Sequence, residues 1–254
     1  MSMTLRDWLA DGEFGLTMSS GFFGFFAHTG VAVALEEAGH LPVEVSGSSA
    51  GALVGAGVAT RMGATRLKDE LFALKRQDFW DPFPGLGLLR GRLFEQRLRD
   101  LLPVDDVAAC PIKYSASVFD VFGMKTVVRD AGDLPQLVRT SCTFPFLFHP
   151  VWHDGRLFID GGVLDRPGLE GMRQHRVLYH HLASKSPWRR RGSQALQVPK
   201  RVGMKTLVVH GLPRVGPNKL HVGPQAYSAA AKAFERALDR AFDDDGVVHI
   251  DVDG

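Results

Sequence analysis

The sequence predicts an α/β protein with a mainly parallel central sheet covered by helices. Its first 62 residues show the order strand, helix, strand, helix, which is typical of consecutive βαβ units. Apolar residues make up 45% and charged residues 23% of the chain, as in a globular protein with a substantial core. The length of 254 residues suits one large domain, so we expect a single domain over residues 1–254.

The first four elements are marked by short apolar runs and by the turn residues that end them. Residues 14–18 are an apolar run closed by a Ser/Gly turn, which favours a buried strand. Residues 25–38 have helical character, and Gly39 follows in the position of a C-cap. Residues 43–46 are predicted to form a second strand, and the small residues of 50–62 a second helix.

The later elements follow from amphipathic and apolar runs between turn-rich segments. Helices are predicted at 66–77, 92–102, 134–142 and 224–242, and strands at 113–120, 125–130, 176–181 and 206–210. Residues 121–124 are expected to join two of these strands into a hairpin. The segment 81–91 is predicted to be a Pro/Gly-rich loop, and the basic segment 185–201 a surface loop.

Composition and patterning exclude several classes of protein. The net charge of +2 gives no case for nucleic acid as a partner. Residues 14–35 are long enough to span a membrane, but their glycines and polar interruption favour a strand, a turn and a helix. The acidic residues in 7–13 do not suit a signal peptide. Cys110 and Cys142 are isolated, which fits a reducing compartment and argues against a zinc site or a disulfide scaffold. We therefore expect a cytoplasmic protein.

A G-x-S-x-G motif runs from Gly47 to Gly51, between a predicted strand and a predicted helix. In that context the central serine, Ser49, is a candidate nucleophile on a sharp turn. Gly47 and Gly51 leave room where the backbone crosses itself, and the start of the next helix favours developing negative charge. The alternative is a Gly/Ser turn that only begins a helix, and the small residues after Ala50 favour the nucleophile.

A second motif lies one βα unit earlier, in the loop from Ser19 to Gly24. The backbone N–H groups of Gly21, Phe22, Phe23 and Gly24 are candidates for an oxyanion hole, because they point from a loop and a helix start towards an anion. An ordinary strand-to-helix turn is the alternative. The two motifs would lie side by side at the carboxyl ends of neighbouring strands.

The candidate base is Asp160, which ends an apolar strand and is followed by Gly161 and Gly162. Within reach of a serine hydroxyl in a dry cleft, a carboxylate takes the proton as attack proceeds. Asp-Gly-Gly is also a plain turn signal. His210 is the rival base, with the chain order of an α/β-hydrolase triad. Such hydrolases place several strands before the nucleophile, whereas only one earlier strand is predicted here.

Together these three motifs resemble those of the patatin-like phospholipases. Residues 28–39 and 139–145 are also similar to segments of that family, and the resemblance covers about residues 14–167. It implies a three-layer α/β/α domain and hydrolysis of a lipid ester by a Ser49–Asp160 dyad, without histidine, metal or cofactor. The glycine loop departs from the family pattern, because Ser19 replaces its first glycine and no basic residue occurs in it.

Other readings remain open at this point. A G-x-S-x-G serine also serves acyltransferases, and the altered glycine loop would suit a catalytically weakened lipid-binding protein. The phenylalanines in 22–26 and 144–148 are candidates for an acyl-chain pocket, although each ring alone is more typical of a core. Residues 79–86 suggest a lid or a membrane-touching edge, and the basic run 185–191 a peripheral contact with anionic lipid. We expect a lipid or another acyl ester as partner.

Overall fold

The computed structural model describes residues 3–183 and 197–252. The helices are α1 (Leu5–Ala10), α2 (Phe25–Glu37), α3 (Ala50–Ala59), α4 (Ala64–Ala73), α5 (Arg92–Leu101), α6 (Leu134–Ser141) and α7 (Gly223–Leu238). The strands are β1 (Gly15–Met18), β2 (Glu44–Ser48), β3 (Gly87–Leu89), β4 (Lys113–Asp120), β5 (Lys125–Arg129), β6 (Phe146–Phe148), β7 (Val151–His153), β8 (Arg156–Asp160), β9 (Val177–Leu182), β10 (Met204–His210) and β11 (Val247–Asp251).

Nine of these strands form one sheet with the order β11-β10-β9-β1-β2-β4-β8-β7, and β5 also pairs with β4. The six strands from β11 to β4 are parallel, whereas β5, β7 and β8 join antiparallel. The α/β class and the mainly parallel central sheet are therefore confirmed. The parallel strands all end at one edge of the sheet, which we call the carboxyl edge.

Strand β4 pairs with three other strands, and this pairing determines where β2 and β8 end. Residues 113–117 pair with β2, residues 116–120 with β5, and residues 118–120 with β8. Because β5 overlaps both of the others, β2 and β8 must share the opposite side of β4. Ser48 pairs with Ser117, and Asp160 pairs with Val118, the next residue along. Strands β2 and β8 thus run towards each other and end at adjacent positions.

The main core packs helices against one face of the sheet. Leu178 and Leu182 of β9 belong to this core, together with residues of α1, α2, α3 and α7. Val177 and Tyr179 alternate with them along the strand and form a smaller cluster with Met172 and Met204. Since successive side chains of a strand point to opposite faces, the smaller cluster lies on the other side of the sheet.

Most predicted elements are present within a few residues of their expected bounds, including the β4–β5 hairpin. Helix α3 ends at Ala59 rather than residue 62, because Arg61 adopts a left-handed φ of 49°. Helix α7 ends at Leu238 rather than residue 242, because the following residues pair with the N-terminal segment, where the Phe242 N–H donates to Met3 O.

The loop predicted at 81–91 is partly wrong, because it contains β3, which pairs with β6 across Gly87–Phe146 and Leu89–Phe148. The basic loop predicted at 185–201 lies outside the described residues up to 196, and residues 197–201 form neither helix nor strand. No helix within 3–183 and 197–252 combines the length and apolar character that a bilayer span requires.

Candidate active site

Ser49 occupies a strained turn between β2 and α3. Its backbone has φ 55° and ψ −118°, a conformation that side-chain-bearing residues rarely adopt. The turn is possible because Gly47 and Gly51 have no side chains. A Cβ at Gly51 would lie 2.0 Å from Met18 O, and one at Gly47 would lie 2.5 Å from the Gly51 carbonyl carbon. The strain and the missing side chains are what a nucleophile elbow requires.

The end of α6 braces this elbow, which the sequence reasoning did not foresee. The Ser49 N–H donates to Ser141 Oγ at 3.0 Å, and the Ser141 hydroxyl donates to Ser117 O at 2.8 Å. The Cys142 thiol donates to Ser49 O at 3.1 Å. The only signal was that residues 139–145 resemble a family segment, and no pattern assigned either side chain a partner.

Asp160 comes to the elbow because β2 and β8 meet end to end along β4. Its N–H donates to Thr143 O at 2.9 Å, and its Oδ1 accepts the Gly162 N–H at 2.8 Å. Gly161 and Gly162 must be small here. A Cβ at Gly161 would lie 2.0 Å from Ser117 O, and one at Gly162 would lie 2.4 Å from Ser20 Oγ. The turn after Asp160 is therefore packed between β4 and the glycine loop.

The Asp160 carboxyl group is buried and has a raised proton affinity. Burial raises its pKa to about 6, although hydrogen bonds from the Ser49 hydroxyl and the Gly162 N–H lower it in part. Oδ2 has no partner at ordinary hydrogen-bond distance among the described residues. The Ser49 hydroxyl therefore lies near enough to lower this pKa, but it makes no hydrogen bond of ordinary geometry with Oδ2.

The loop between β1 and α2 offers backbone donors beside Ser49. The Gly24 N–H donates to Gly21 O at 2.8 Å, and Phe23 adopts a left-handed φ of 54°. The N–H groups of Gly21, Phe22 and Phe23 donate to no acceptor in the described part of the chain. Of the four N–H groups expected from the sequence, the one on Gly24 is therefore used within the turn, and three remain for an oxyanion.

Ser19, which departs from the family pattern, fits the fold without disturbing these donors. Its hydroxyl is fully buried and accepts the Leu182 N–H at 3.1 Å. His28 Nε2 lies 2.7 Å from Ser19 O, and its Nδ1 lies 2.8 Å from His180 Nδ1. Because a carbonyl only accepts, His28 carries its proton on Nε2 and His180 carries its own on Nδ1. Burial lowers the pKa of His28 to about 4, so the pair stays neutral.

A buried cation lies below the glycine loop, although the loop itself has none. Arg166 is 6% exposed, its carbonyl accepts the Ser20 N–H at 2.7 Å, and its guanidinium donates to Leu182 O at 2.7 Å. The Leu182 side chain touches the underside of the loop, since a Cβ at Gly21 would lie 2.7 Å from it. No sequence signal singled out Arg166.

His210 is not brought to Ser49. It ends β10, and β9 and β1 lie between β10 and β2, a separation of about 14 Å at ordinary strand spacing. Its Nε2 bonds to His249 Nδ1 at 2.9 Å instead. The residues that the structure describes contain no group of three or more His, Cys, Asp or Glu side chains able to hold a metal ion.

Aromatic side chains surround the entrance on the side of the glycine loop. Phe22 is exposed and packs on Phe144, with ring centroids 5.6 Å apart. Phe23 contacts Phe22 at 4.9 Å, Phe25 at 5.4 Å and Phe79 at 6.0 Å. The two phenylalanine groups recognised in the sequence thus meet through the contact of Phe22 with Phe144.

A family model for patatin-like phospholipases matches residues 16–172, the interval that contains Ser49 and Asp160. An NTE family protein of Mycobacterium tuberculosis is 33% identical over 154 residues, 59% of this chain and 42% of the relative. Lysophospholipase NTE1 of Meyerozyma guilliermondii is 22% identical over 179 residues, 67% of this chain and 12% of the relative. The chain thus spans less than half the length of these relatives.

Among solved structures, VipD from Legionella pneumophila has a similar fold. It superposes with a TM-score of 0.57 and 14% sequence identity, covering 94% of this chain and 61% of that one. At this identity the likeness concerns the fold alone. With 94% of the chain covered, the likeness extends beyond the interval matched by the family model.

Proposed function

Because this chain belongs to the patatin-like phospholipase family, we propose that it is a lipid acyl hydrolase with a Ser49–Asp160 dyad. One observation carries the proposal. The strained serine turn follows β2 and the buried carboxyl group of raised pKa ends β8, and these two strands run towards each other along β4 and end at adjacent positions. The rival base His210 bonds to His249, and His28 bonds to His180, so these histidines give no support to a triad.

In the first half of the reaction, the Ser49 hydroxyl attacks the ester carbonyl carbon while its proton moves to Asp160. The N–H groups of Gly21, Phe22 and Phe23 stabilise the resulting oxyanion, and such donors are worth several kcal/mol in a dry site. When the intermediate collapses, the alcohol leaves with the proton from Asp160. The acyl group stays on Ser49 as an ester.

In the second half, water replaces the alcohol. Asp160, again a carboxylate, takes a proton from the water as the oxygen attacks the acyl-enzyme, and the same N–H groups hold the oxyanion. Collapse returns the proton to Ser49 and releases the fatty acid. An acyltransferase differs only in this half, where an alcohol or thiol replaces water.

The aromatic entrance supports a substrate with a long apolar acyl chain. The rings of Phe22, Phe23 and Phe144 lie beside the proposed oxyanion donors, where an acyl chain bound to Ser49 would leave the site. One relative is named a lysophospholipase, which makes a single-chain phospholipid the first natural substrate to test.

The test is hydrolysis of p-nitrophenyl esters of increasing chain length by the wild type, Ser49→Ala, Asp160→Asn and His210→Ala. We expect activity that rises with chain length, is lost in the first two variants and is kept in His210→Ala. Labelling of the wild type, but not of Ser49→Ala, by a fluorophosphonate would identify the nucleophile. Loss of activity in His210→Ala would contradict the dyad, and an unlabelled, inactive wild type would favour a lipid-binding protein.

A further inference from the structure

Exposed apolar residues are concentrated at one end of the molecule. In the described part of the chain, eight large hydrophobic residues are more than half exposed: Phe22, Leu86, Phe122, Met124, Phe146, Trp152, Leu164 and Val202. The first seven lie on loops or short strands around the carboxyl edge, where Ser49 lies. Val202 is the exception, because it precedes β10 and therefore lies at the opposite edge.

The β4–β5 and β7–β8 hairpins extend beyond the carboxyl edge. Strand β2 ends opposite Ser117, whereas β4 continues to Asp120 before its turn. The turn carries Phe122, 63% exposed, and Met124, 71% exposed. Trp152 of β7 is 62% exposed and packs edge-on against Phe122, with centroids 5.6 Å apart. These side chains, which we call the hairpin tips, face solvent on one side of the nucleophile.

Residues 82–88, which we call the mouth loop, project on the other side. The loop contains no charged residue, and Leu86 in it is 72% exposed, with Phe83 and Leu88 also exposed. Its near end is fixed to the site, because Phe79 packs on Phe23 of the glycine loop. Its far end, β3, pairs with β6, which lies four residues after Cys142 and its hydrogen bond to Ser49.

Cations border the mouth loop. Within residues 75–93, four cations (Lys75, Arg76, Arg90 and Arg92) stand against two aspartates, Asp78 and Asp81. The Asp81 carboxylate accepts the N–H groups of Gly91, Arg92 and Leu93 at the start of α5, so backbone dipoles compensate part of its charge. The Arg90 guanidinium lies 3.9 Å from the centre of the Phe83 ring. Apolar tips with a basic border are typical of surfaces that bind anionic lipid.

We propose that the mouth loop and the hairpin tips dock this end of the molecule on an anionic lipid bilayer. This proposal rests on the proposed function, because the apolar residues surround the nucleophile and a bilayer would present ester substrate at its entrance. A second protein chain seated on the same residues would instead cover that entrance. The border of cations favours anionic phospholipid over a neutral surface.

The test is binding to vesicles of phosphatidylcholine with and without phosphatidylglycerol, measured by flotation in the Ser49→Ala background so that the lipid stays intact. We expect binding to the anionic vesicles that weakens at high salt. Leu86→Ser with Leu88→Ser, and separately Phe122→Ser with Trp152→Ser, should each weaken it by about tenfold or more, because exposed apolar residues supply the insertion. The matched control is Val202→Ser, a similarly exposed residue at the opposite edge, which should bind like the parent.

Arg90→Gln with Arg92→Gln should lower binding to anionic vesicles while leaving the weak binding to neutral ones unchanged. Three outcomes would overturn the proposal. Val202→Ser could lose as much vesicle binding as the mouth-loop variant, the mouth-loop variant could lose none, or the parent protein could fail to bind vesicles. A wild-type dimer that the mouth-loop variant converts to a monomer would also overturn it, since a second copy would then cover this face.

Hydrolysis of a short soluble ester separates this proposal from the catalytic one. With Ser49 intact, the mouth-loop and hairpin variants should keep that activity, because their side chains are remote from the reacting atoms. Lost vesicle binding with kept ester hydrolysis supports both proposals. If the variants lose vesicle binding and the wild type hydrolyses no ester, the docking surface is supported and the proposed function is contradicted.

Discussion

As the proposed base, Asp160 must satisfy two opposing requirements. A base needs to be ionised at the working pH, yet the same side chain is 4% exposed and its burial disfavours the charge. The Gly162 N–H on Oδ1 and the Ser49 hydroxyl moderate the cost without removing it. The resulting pKa of about 6 gives a stronger base than an exposed aspartate, and one still ionised at neutral pH.

The pH dependence of hydrolysis should follow this carboxyl group. Because only the carboxylate accepts the Ser49 proton, kcat/KM should fall as the pH drops through about 6 and level off above it. The measurement is kcat/KM for a short-chain ester, followed in a pH-stat. A midpoint near the ordinary pKa of an aspartate, about 4, would show that burial does not control the base.

Asp160 should also reduce stability at high pH. Its pKa is raised from 3.8 to about 6, so the folded state binds more protons than the unfolded state between these values, and stability falls as the pH rises through them. Asp160→Asn keeps an acceptor for Gly162 and removes the charge. We expect it to stabilise the protein at pH 8, on the order of 1–3 kcal/mol, and less as the pH falls towards 4.

Urea unfolding of Asp160→Asn and the wild type at several pH values checks this expectation. Ser49→Ala provides the comparison: it also abolishes the proposed activity but keeps the carboxyl group and removes a hydrogen bond that lowers its pKa, so it should not gain stability at pH 8. An Asp160→Asn protein that is less stable than the wild type at pH 8 would mean that the ionised carboxyl group contributes favourably to the fold.

At the scale of elements, the elbow depends on two neighbours, β1 and α6. Helix α3 starts against Met18 O at the end of β1, which is why no side chain fits at position 51. Helix α6 supplies the acceptor for the Ser49 N–H. Neither contact involves residues adjacent in sequence, so the reactive turn is held by tertiary packing rather than by its own five residues.

Gly51→Ala should therefore unfold or severely destabilise the protein. The added Cβ would lie 2.0 Å from Met18 O, a backbone atom that moves only with the whole of β1, and we expect a loss of about 3 kcal/mol or more. Gly57→Ala is the matched control on the same helix. Its Cβ would meet only the ends of the Leu67 and Met62 side chains, so the cost should stay within about 1 kcal/mol, as helix propensity compensates. Thermal unfolding compares the two.

Ser141→Ala should weaken both the elbow and catalysis. It leaves the Ser49 N–H and Ser117 O without their partner. If no water replaces the hydroxyl, the free energy of unfolding should fall by about 1–3 kcal/mol. We expect a lower kcat with nearly unchanged KM, because the serine turn is less well held. Cys142→Ala removes only a weak thiol donor and should have the smaller effect. Equal kcat values for Ser141→Ala and the wild type would contradict the bracing role.

For the whole molecule, local patterns predicted the βα units well. Gly47, Ser49 and Gly51 lie within one turn, and their place between a predicted strand and a predicted helix indicates a candidate nucleophile. The alternation of apolar runs with glycine likewise marked β1, α2, β2 and α3. These features depend on residues close together in the chain, where sterics and turn preferences act directly.

The remaining features depend on distant partners. Local patterns predict a loop where β3 forms, because its three residues are stabilised as a strand only by pairing with β6. Strands β2 and β8 meet end to end because β4 pairs with β2, β5 and β8. No local sequence pattern predicts this set of partners. The Gly24 N–H was expected to face the site because the tight turn that uses it was not visible in the residue types.

The strand order also sets when the protein can become active during synthesis on a ribosome. Strand β1 lies between β2 and β9, so one of its sides stays unpaired until residues 177–182 emerge. The proposed base, Asp160, likewise follows Ser49 by more than a hundred residues. A nascent chain therefore carries the proposed nucleophile while more than a hundred further residues are made before the proposed base exists. We expect ester hydrolysis by the proposed dyad only after residues 177–182 have paired with β1.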